Sequence, residues 1–376
     1  MKKRTVFSLL LAFVLLFSVS LPVMAEDTIK IAGIGVLSGD YAEYGLAVKE
    51  GVDLCVKQTN EKGGVLGKKV EILWEDTQGT APNAINAYNK LLDEGVVGIV
   101  GAVLSGESKA LAEMSADDGM PQITPSSTAY DVTTDRPNVF RTCFLDPFQG
   151  NAIAKYMSDQ GIKKAAVLYD NATEYSKGLY DAFKARCDEL GVEIVAAESA
   201  AYGDKDYKTQ LTTIANAAPE AVFLPYYGAD AAMILAQANE IGLDVKFYGA
   251  DGIADIVDKV TDKALLTNVV YTDHFSTDAD SELAKNFVSS FEAEYGKLPT
   301  ISFSATGYDA ALVLLSAIEA AGSTDKEAIV AAIKATNIDA VSGKITFDDH
   351  NDPIKSAFLL TFDDQGVKHY LTQVDP

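Results

Sequence analysis

The chain has 376 residues, of which 48% are apolar and 23% are charged. This length suits about two domains of ~150 residues each, and this composition excludes a disordered or fibrous chain. The 54 acidic residues outnumber the 31 lysines and arginines, which gives a net charge of −23. Because so acidic a surface repels phosphate backbones, we expect no nucleic-acid partner.

The first 25 residues are predicted to be a signal peptide. Positive charges at positions 2–4 precede an apolar run over residues 6–19, which is shorter than the ~20 residues that a membrane span needs. The segment 23–25 has the small side chains of a cleavage site, so the mature chain should begin at Glu26. No cysteine lies there to accept a lipid. We therefore expect a soluble protein exported to the periplasm or outside the cell; an uncleaved anchor is the alternative.

Strand-like and helix-like segments then alternate along the chain. Short runs rich in Val, Ile and Leu predict strands over residues 28–37, 69–74, 96–104, 164–169, 192–196, 221–225 and 269–272. Segments of helical length and period lie between them, at residues 44–61, 82–94, 107–118, 175–190 and 229–241. This order predicts parallel sheets with helices on both faces. Since one sheet cannot hold so many strands, we infer two α/β lobes.

The last hundred residues add further elements and little that suggests a metal or a disulfide scaffold. Helices are predicted over residues 280–295, 302–321 and 325–335, and strands over 344–347, 357–362 and 367–371. The three cysteines, Cys55, Cys143 and Cys187, form no C-x-x-C pair, so we expect buried free thiols and neither a metal nor another cofactor. The acidic segment 348–352 lacks the spacing of a calcium loop and is predicted to be a solvated turn.

Two catalytic motifs match only in part. Gly33 and Gly35 follow a strand, but Ser38 stands where a dinucleotide-binding loop needs its third glycine. The segment 106–110 places Ser108 as a nucleophile elbow would, but it ends in alanine instead of glycine. We therefore predict that the protein is not an enzyme, and keep an exported serine hydrolase using Ser108 as an alternative.

Three polar positions suit the two charged ends of a zwitterion. Ser105 lies at a predicted helix start, where unpaired N–H groups and the helix dipole favour a carboxylate; its alternative role is that of a simple N-cap. Thr128 ends a polar turn that offers acceptors to an ammonium group. Asp251 follows a strand, and ligands of open α/β sheets bind beyond the carboxyl ends of strands.

The segments 37–45 and 60–67 closely resemble the start of the branched-chain-amino-acid-type substrate-binding proteins of ABC importers. The resemblance continues in order and at family spacing through residues 100–108, 123–128, 169–178, 226–228 and 249–252. It implies the type I periplasmic-binding fold, with two discontinuous three-layer α/β lobes of parallel sheets joined by a three-strand hinge. It places lobe 1 at residues 26–146 and 275–352, and lobe 2 at 147–274 and 353–376.

The resemblance also implies roles for individual residues. Ser105 matches the serine that holds the ligand carboxylate, Ser126 a position that uses its backbone carbonyl, and Thr128 one that uses backbone and hydroxyl. Asp251 matches the acid that faces the ligand ammonium, where the branched-chain prototype carries glutamate. Three tyrosines match aromatic positions that line the cleft: Tyr44, Tyr175 and Tyr227.

The function that follows is capture of an amino acid, aliphatic or branched-chain, by hinge closure of the two lobes. The expected partners are this small molecule and a membrane permease with its ATPase, and the protein is expected to be a monomer. The alternatives are another amino acid such as an aromatic one, a small amide or urea as ligand, or a sensory receptor in place of a transport protein.

Overall fold

The computed structural model describes residues 28–201 and 203–376. The predicted signal peptide, residues 1–25, lies outside the described residues. Across the described part of the chain, no helix combines the length and the apolar character needed to cross a bilayer.

A five-stranded parallel sheet forms the centre of the first lobe, with strand order β2-β1-β3-β4-β5. The strands run in chain order as β1 Ile29–Gly35, β2 Val70–Asp76, β3 Ile99–Gly101, β4 Gln122–Thr124 and β5 Val139–Arg141. They are connected by the helices α1 Ala42–Glu61, α2 Ala81–Asp93 and α3 Ser105–Asp117. These elements follow the predicted alternation of strands and helices.

A seven-stranded sheet forms the centre of the second lobe, with strand order β14-β13-β10-β9-β8-β6-β7. Its consecutive elements are α4 Asp146–Asp159, β6 Lys164–Asp170, α5 Glu174–Leu190, β7 Glu193–Ala200, α6 Lys208–Asn216, β8 Ala221–Phe223, α7 Gly228–Glu240, β9 Lys246–Gly249, α8 Ile256–Lys259 and β10 Val269–Asp273. Strands β6 to β10 pair in parallel, as predicted.

The C-terminal part of the chain contributes to both lobes. The elements α9 Glu282–Tyr295, α10 Phe303–Ala321 and α11 Lys326–Lys334 precede a hairpin of β11 Asn337–Ala340 and β12 Gly343–Thr346, and the chain ends with β13 Ala357–Phe362 and β14 Lys368–Val374. Strands β13 and β14 join the second sheet in antiparallel pairing, which the predicted parallel sheets did not include. A short turn between these strands reverses the chain, so their pairing with each other must be antiparallel.

Close helix packing ties the late segment to the first lobe. Helix α10 is apolar over most of its surface and packs against α1. At the crossing, a Cβ on Gly51 would lie 1.8 Å from the Ser304 carbonyl oxygen, and one on Gly307 would lie 2.7 Å from that of Val48. Only glycine permits such a close approach of the two backbones.

Because the two sheets share no strand, their membership defines three passages of the chain between the lobes. Within the described residues, these passages lie between β5 and α4, between β10 and α9, and between β12 and β13. The lobe boundaries given in the sequence analysis stay a prediction, because the strands of the two sheets do not define the exact residue at which each lobe ends.

The three cysteines are free and buried, as predicted. Burial raises the pKa of the thiols of Cys55, Cys143 and Cys187 to about 12. These thiols therefore stay protonated and inert at physiological pH.

The acidic segment 348–352 is only partly the solvated turn that the sequence predicts. Its first three residues are exposed, whereas Asn351 and Asp352 are buried. The Asp352 carboxylate lies 2.6 Å from Nε of the buried Arg141 and accepts a hydrogen bond from the Thr133 hydroxyl. This end of the turn therefore belongs to the passage between the lobes.

Candidate functional site

The predicted polar residues come from loops at the carboxyl ends of parallel strands. Ser105 follows β3, Ser126 and Thr128 follow β4, and Asp251 follows β9. All four side chains are buried. The ends of parallel strands meet at one edge of their sheet, which is where ligands bind in open α/β folds.

The start of α3 differs in detail from the prediction. The helix begins at Ser105, two residues earlier than predicted, and the cap residue is Leu104, so Ser105 is not the N-cap. The Glu107 carboxylate accepts hydrogen bonds from the N–H groups of Val103 and Leu104, at 3.1 and 2.9 Å. The Glu107 side chain thus pairs with the N–H groups at the entrance of the helix. The Ser105 hydroxyl and the N–H groups of the following turn remain for a ligand.

Glu107 is a buried carboxylate that the sequence analysis did not single out. Its second oxygen accepts a hydrogen bond from the Thr77 hydroxyl, and burial raises the pKa of the carboxyl to about 7. The available sequence signal is a glutamate at the third helical position, because its side chain can accept from the N–H of the cap residue, as in one half of a capping box.

Hydroxyl groups on the first lobe are held by local contacts. The Ser126 hydroxyl donates to the Val103 carbonyl at 2.9 Å, and the Ser105 hydroxyl accepts a 3.4 Å bond from the Ala129 N–H. Ser108, the residue of the hydrolase alternative, is fully buried and its hydroxyl pairs with that of Ser127. The partner of Ser108 is thus another serine in place of the histidine that a nucleophile needs.

Asp251 is surrounded by donors of its own chain. Its Oδ1 accepts hydrogen bonds from Gln149 Nε2 at 2.8 Å and from the Tyr175 hydroxyl at 3.0 Å. Its Oδ2 lies 2.9 Å from His274 Nε2. The predicted role of Asp251 towards a ligand ammonium stays a prediction, and the structure adds that both carboxylate oxygens have protein partners.

Three residues of this cluster were not predicted: Asp146, Gln149 and His274. Gln149 accepts from the Asp251 N–H at 3.0 Å and from the Thr272 hydroxyl at 2.7 Å, so it joins two strand ends of the second lobe. The sequence analysis gave residue 146 only as a boundary between the lobes. The sequence signal that was available is a pair of polar residues, Asp146 and Gln149, which lie three positions apart at the start of a helix that follows a strand.

The predicted tyrosines occupy two different environments. Tyr175 and Tyr227 stack with ring centroids 4.9 Å apart and an angle of 10° between their planes. Tyr44 extends from the first lobe into the second, where its hydroxyl lies 2.6 Å from the Gly252 carbonyl and 2.7 Å from Asp255 Oδ1. It also accepts a 2.9 Å bond from the Gly228 N–H. Tyr44 therefore connects the lobes, and its role in lining the cleft stays a prediction.

A cavity of about 550 Å³ opens between the lobes. Tyr41, Leu104 and Ala110 line it from the first lobe, and Tyr175 and Tyr227 from the second. Its walls therefore include an aromatic and aliphatic part, to which two of the predicted residues belong. The rest of the lining is polar or charged and includes Glu107, Lys109 and Glu174. The other five predicted residues are buried outside this lining: Tyr44, Ser105, Ser126, Thr128 and Asp251.

Ion pairs connect the lobes at the rim of this cavity. Lys109 of α3 pairs with Asp131 of its own lobe and lies 3.7 Å from Glu174 of α5. Glu174 also pairs with Lys177 at 3.2 Å. These half-exposed charges hold the rim weakly, because solvent screens them.

The fold and the site between its lobes define a two-lobed protein that binds a ligand in a cleft. A family model described as periplasmic binding protein matches residues 28–366, and the chain belongs to this family. It is a family of binding proteins rather than of enzymes.

Individual relatives agree with this assignment. The Leu/Ile/Val-binding protein BraC3 of Rhizobium johnstonii is 30% identical over 350 residues, which cover 92% of this chain and 94% of that protein. The leucine-binding protein LivK of Thermotoga maritima is 33% identical, with a TM-score of 0.86 over 93% of this chain and 99% of that one. The branched-chain amino acid transporter protein LivJ of Streptococcus pneumoniae, solved with isoleucine, is 30% identical, with a TM-score of 0.87 over 93% and 100% of the two chains.

Proposed function

We propose that this protein is the substrate-binding protein of an ABC importer and captures an aliphatic amino acid such as leucine, isoleucine or valine. The observation that carries the proposal is that a cavity between the two lobes, with an aromatic and aliphatic part to its lining, lies beside a buried polar cluster. An amino acid has an anionic end, a cationic end and a side chain, and the cleft offers hydroxyls, carboxylates and an apolar wall. The names of the relatives, which bind leucine, isoleucine and valine, support the same ligand class.

In this function the lobes close on the ligand by bending at the three passages of the chain. Closure removes water from the charged ends of the amino acid, so each charge-assisted hydrogen bond contributes more than it does in water. The Tyr44 contacts across the lobes form in the closed state. No covalent step is needed, because the closed shape itself is what a membrane permease and its ATPase recognise.

A thermal-shift screen tests the ligand class directly. L-leucine, L-isoleucine and L-valine should raise the melting temperature, because a ligand that binds only the folded state stabilises it. L-phenylalanine and urea test the alternatives left open by the sequence. A response to phenylalanine or urea alone would change the ligand, and no response to any amino acid would contradict the proposal.

Small-angle X-ray scattering tests the closure. Adding the amino acid selected by the screen should reduce the radius of gyration, since the lobes move together around it. A radius that does not change at saturating ligand would show that binding does not need hinge closure.

Export is part of the same proposal. The mature protein should begin at or near Glu26, following the charge, apolar run and small-residue pattern of a signal peptide. N-terminal sequencing of the protein collected outside the cytoplasm checks this. Exported material that retains residues 5–20 would contradict it.

A further inference from the structure

A second cavity, of about 300 Å³, lies between the lobes beside the second passage of the chain, and we call it the side cavity. Residues 275–277 of that passage line it, as do the segment before α10 in the first lobe and residues near α8 and the start of β14 in the second. No described residue lines both the side cavity and the 550 Å³ cavity of the candidate site, which is called the main cleft below. The two cavities are therefore separate volumes.

Most of the lining of the side cavity is apolar. Val257 and Leu360 belong to it from the second lobe, Leu298 and Pro299 from the first, and Phe275 from the passage. An apolar cavity of ~150 Å³ is enough to hold benzene, so a volume twice that size admits a molecule somewhat larger than one ring. The occupant that suits these walls is mainly apolar.

One buried hydroxyl of this lining is unsatisfied. Ser302 is only 2% exposed, and within the part of the chain that the structure describes its hydroxyl makes no hydrogen bond. Ser302 stands at the start of α10, where a serine commonly caps the helix, but its side chain makes no capping bond. The nearby Ser304, in contrast, donates to the Ile301 carbonyl at 2.9 Å. A buried hydroxyl without a partner is costly, and a polar group on a bound molecule would satisfy that of Ser302.

The charges of the side cavity do not call for an ionic ligand. Among the described residues of the lining, Lys368 and Asp258 are the charged ones. Lys368 Nζ donates to the carbonyls of Ala254 at 2.9 Å and Thr300 at 2.6 Å, and it lies 3.8 Å from the Asp273 carboxylate. Asp258 is exposed, so water solvates it. The ligand that this lining fits is therefore uncharged.

The side cavity exists only in one arrangement of the lobes. Lys368 belongs to β14 of the second lobe, and its bond to the Thr300 carbonyl reaches the first lobe. A molecule between these two walls contacts both lobes and loses contacts when they separate. If the amino acid binds to the same arrangement, each of the two ligands favours binding of the other.

We propose that the side cavity is a second binding site, which takes a small uncharged molecule with an apolar body and one hydroxyl group that pairs with Ser302, and that its occupancy strengthens amino acid binding in the main cleft. The site itself does not depend on the proposed function, whereas its effect on amino acid affinity rests on that function. A serine hydroxyl both donates and accepts, which suits the hydroxyl of a phenol or an alcohol.

The test uses 4-ethylphenol as the probe and ethylbenzene, which lacks the hydroxyl, as its matched control. NMR titration measures the binding of both probes to the free protein and to the protein saturated with L-leucine, in which the main cleft is occupied. The variants are Ser302→Ala, its control Ser304→Ala, and Val257→Phe, which fills the side cavity from α8.

The probe 4-ethylphenol should bind the native protein whether or not leucine is present. Ser302→Ala should weaken 4-ethylphenol binding by ~5-fold, because one hydrogen bond is lost, and ethylbenzene binding by less than ~2-fold. Ser304→Ala should change neither. Val257→Phe should weaken both probes by at least ~10-fold, because its ring occupies their place.

Titration calorimetry then measures leucine affinity with and without the probe. Saturating 4-ethylphenol should raise leucine affinity by at least ~3-fold in the native protein and leave it unchanged in Val257→Phe. Thermal melting checks that the serine variants fold. Ser302→Ala should melt at or above the native temperature, because it removes an unpaired buried group, whereas Ser304→Ala should melt lower.

The inference has distinct points of failure. If 4-ethylphenol does not bind the native protein, or if Ser302→Ala weakens both probes equally, the assigned site is wrong. Displacement of leucine by 4-ethylphenol would also overturn it, because the probe would then lie in the main cleft. Unchanged leucine affinity at saturating probe would overturn the link between the two sites. If the native protein binds no amino acid, the proposed function and this link fail, while the titrations on the free protein still decide whether the side cavity is a site.

Discussion

The two sides of the cleft are built in different ways. On the hydroxyl side, which comprises Ser105, Ser126 and Thr128, the loops after β3 and β4 hold each other by contacts within about 25 residues of chain. On the carboxylate side, which comprises Asp146, Gln149, Asp251 and His274, contacts join residues as much as 123 positions apart. The contacts within the first side join the loops of two adjacent strands, whereas the second side exists only when the second lobe is assembled.

This difference indicates which residues outside each side of the cleft hold that side in place. The hydroxyl side is supported by the buried Arg141. This residue donates to the carbonyls of Ser127 and Ala129 at 2.8 and 3.0 Å and pairs with Asp352. Its shape therefore depends on an ion pair between two passages of the chain. The carboxylate side depends on a single amide, that of Gln149, which connects Asp146, Asp251 and Thr272.

The largest expected effect is on stability and concerns Arg141. Arg141→Met should lower the free energy of unfolding by about 3–5 kcal/mol, because it leaves Asp352 as a buried charge without its partner. Chemical denaturation measures the loss. Arg186→Met is the matched control, since Arg186 and Glu189 form an exposed pair one turn apart on α5, which contributes little. Equal losses in the two variants would contradict the support assigned to Arg141.

Asp251→Ala tests the carboxylate side as a unit. It should weaken amino acid binding by at least tenfold, ~1.4 kcal/mol or more, because Gln149, Tyr175 and His274 lose their shared acceptor. The melting temperature should fall as well. Calorimetry and thermal melting check the two expectations, and an affinity within twofold of the native value would show that the cluster does not organise the site.

Tyr44→Phe tests the connection between the lobes. Removing one hydroxyl that contacts Gly252, Asp255 and Gly228 should weaken ligand binding by ~1–2 kcal/mol, since those contacts join the two lobes. The ligand-bound radius of gyration should increase. Tyr88→Phe is the control, because the Tyr88 hydroxyl makes a single bond to Asp118 within the first lobe. If both variants bind and close like the native protein, Tyr44 does not contribute to closure.

The smallest expected effect is on the hydroxyl side. Ser105→Ala should weaken binding by ~1 kcal/mol, because the N–H groups of the first turn of α3 remain in place. Ser126→Ala is its control: Ser126 is predicted to act through its backbone carbonyl, so binding should change less than in Ser105→Ala. Calorimetry on both variants compares the two serines. A larger loss in Ser126→Ala than in Ser105→Ala would contradict the assignment of the side-chain contact to Ser105.

The fold was predictable to the extent that its elements are periodic and local. Strand β13 has the predicted bounds, and most helices begin and end within two residues of prediction. Helix α4 was not among the predicted helices. The lobe boundary was placed at residues 146 and 147, although Pro147 also fits the first turn of a helix. The antiparallel direction of β13 follows from its arrival from the other lobe, which no local pattern encodes.

The residues of the candidate site also divide into those that local sequence patterns could predict and those that they could not. Ser105, Thr128 and Asp251 could be named because each follows a strand, and strand ends are marked by short-range sequence patterns. Asp146, Gln149 and His274 stayed unnoticed because their significance arises from pairings across the second lobe. Buried polar groups must be satisfied, and only the packed chain reveals which of them are.

By itself, the sequence determined the acidic character, the alternating elements and the two lobes, since these depend on composition and on patterns along the chain, and its resemblance to a known family implied the class of ligand-binding protein. The tertiary structure alone decided that Asp251 is enclosed by protein donors, that Asp146 is buried beside Thr128, and that Tyr44 crosses between the lobes. The physical reason is that hydrogen bonds and charges compete for partners in three dimensions. A residue's neighbours in space, and not its neighbours in sequence, decide which partners remain for a ligand.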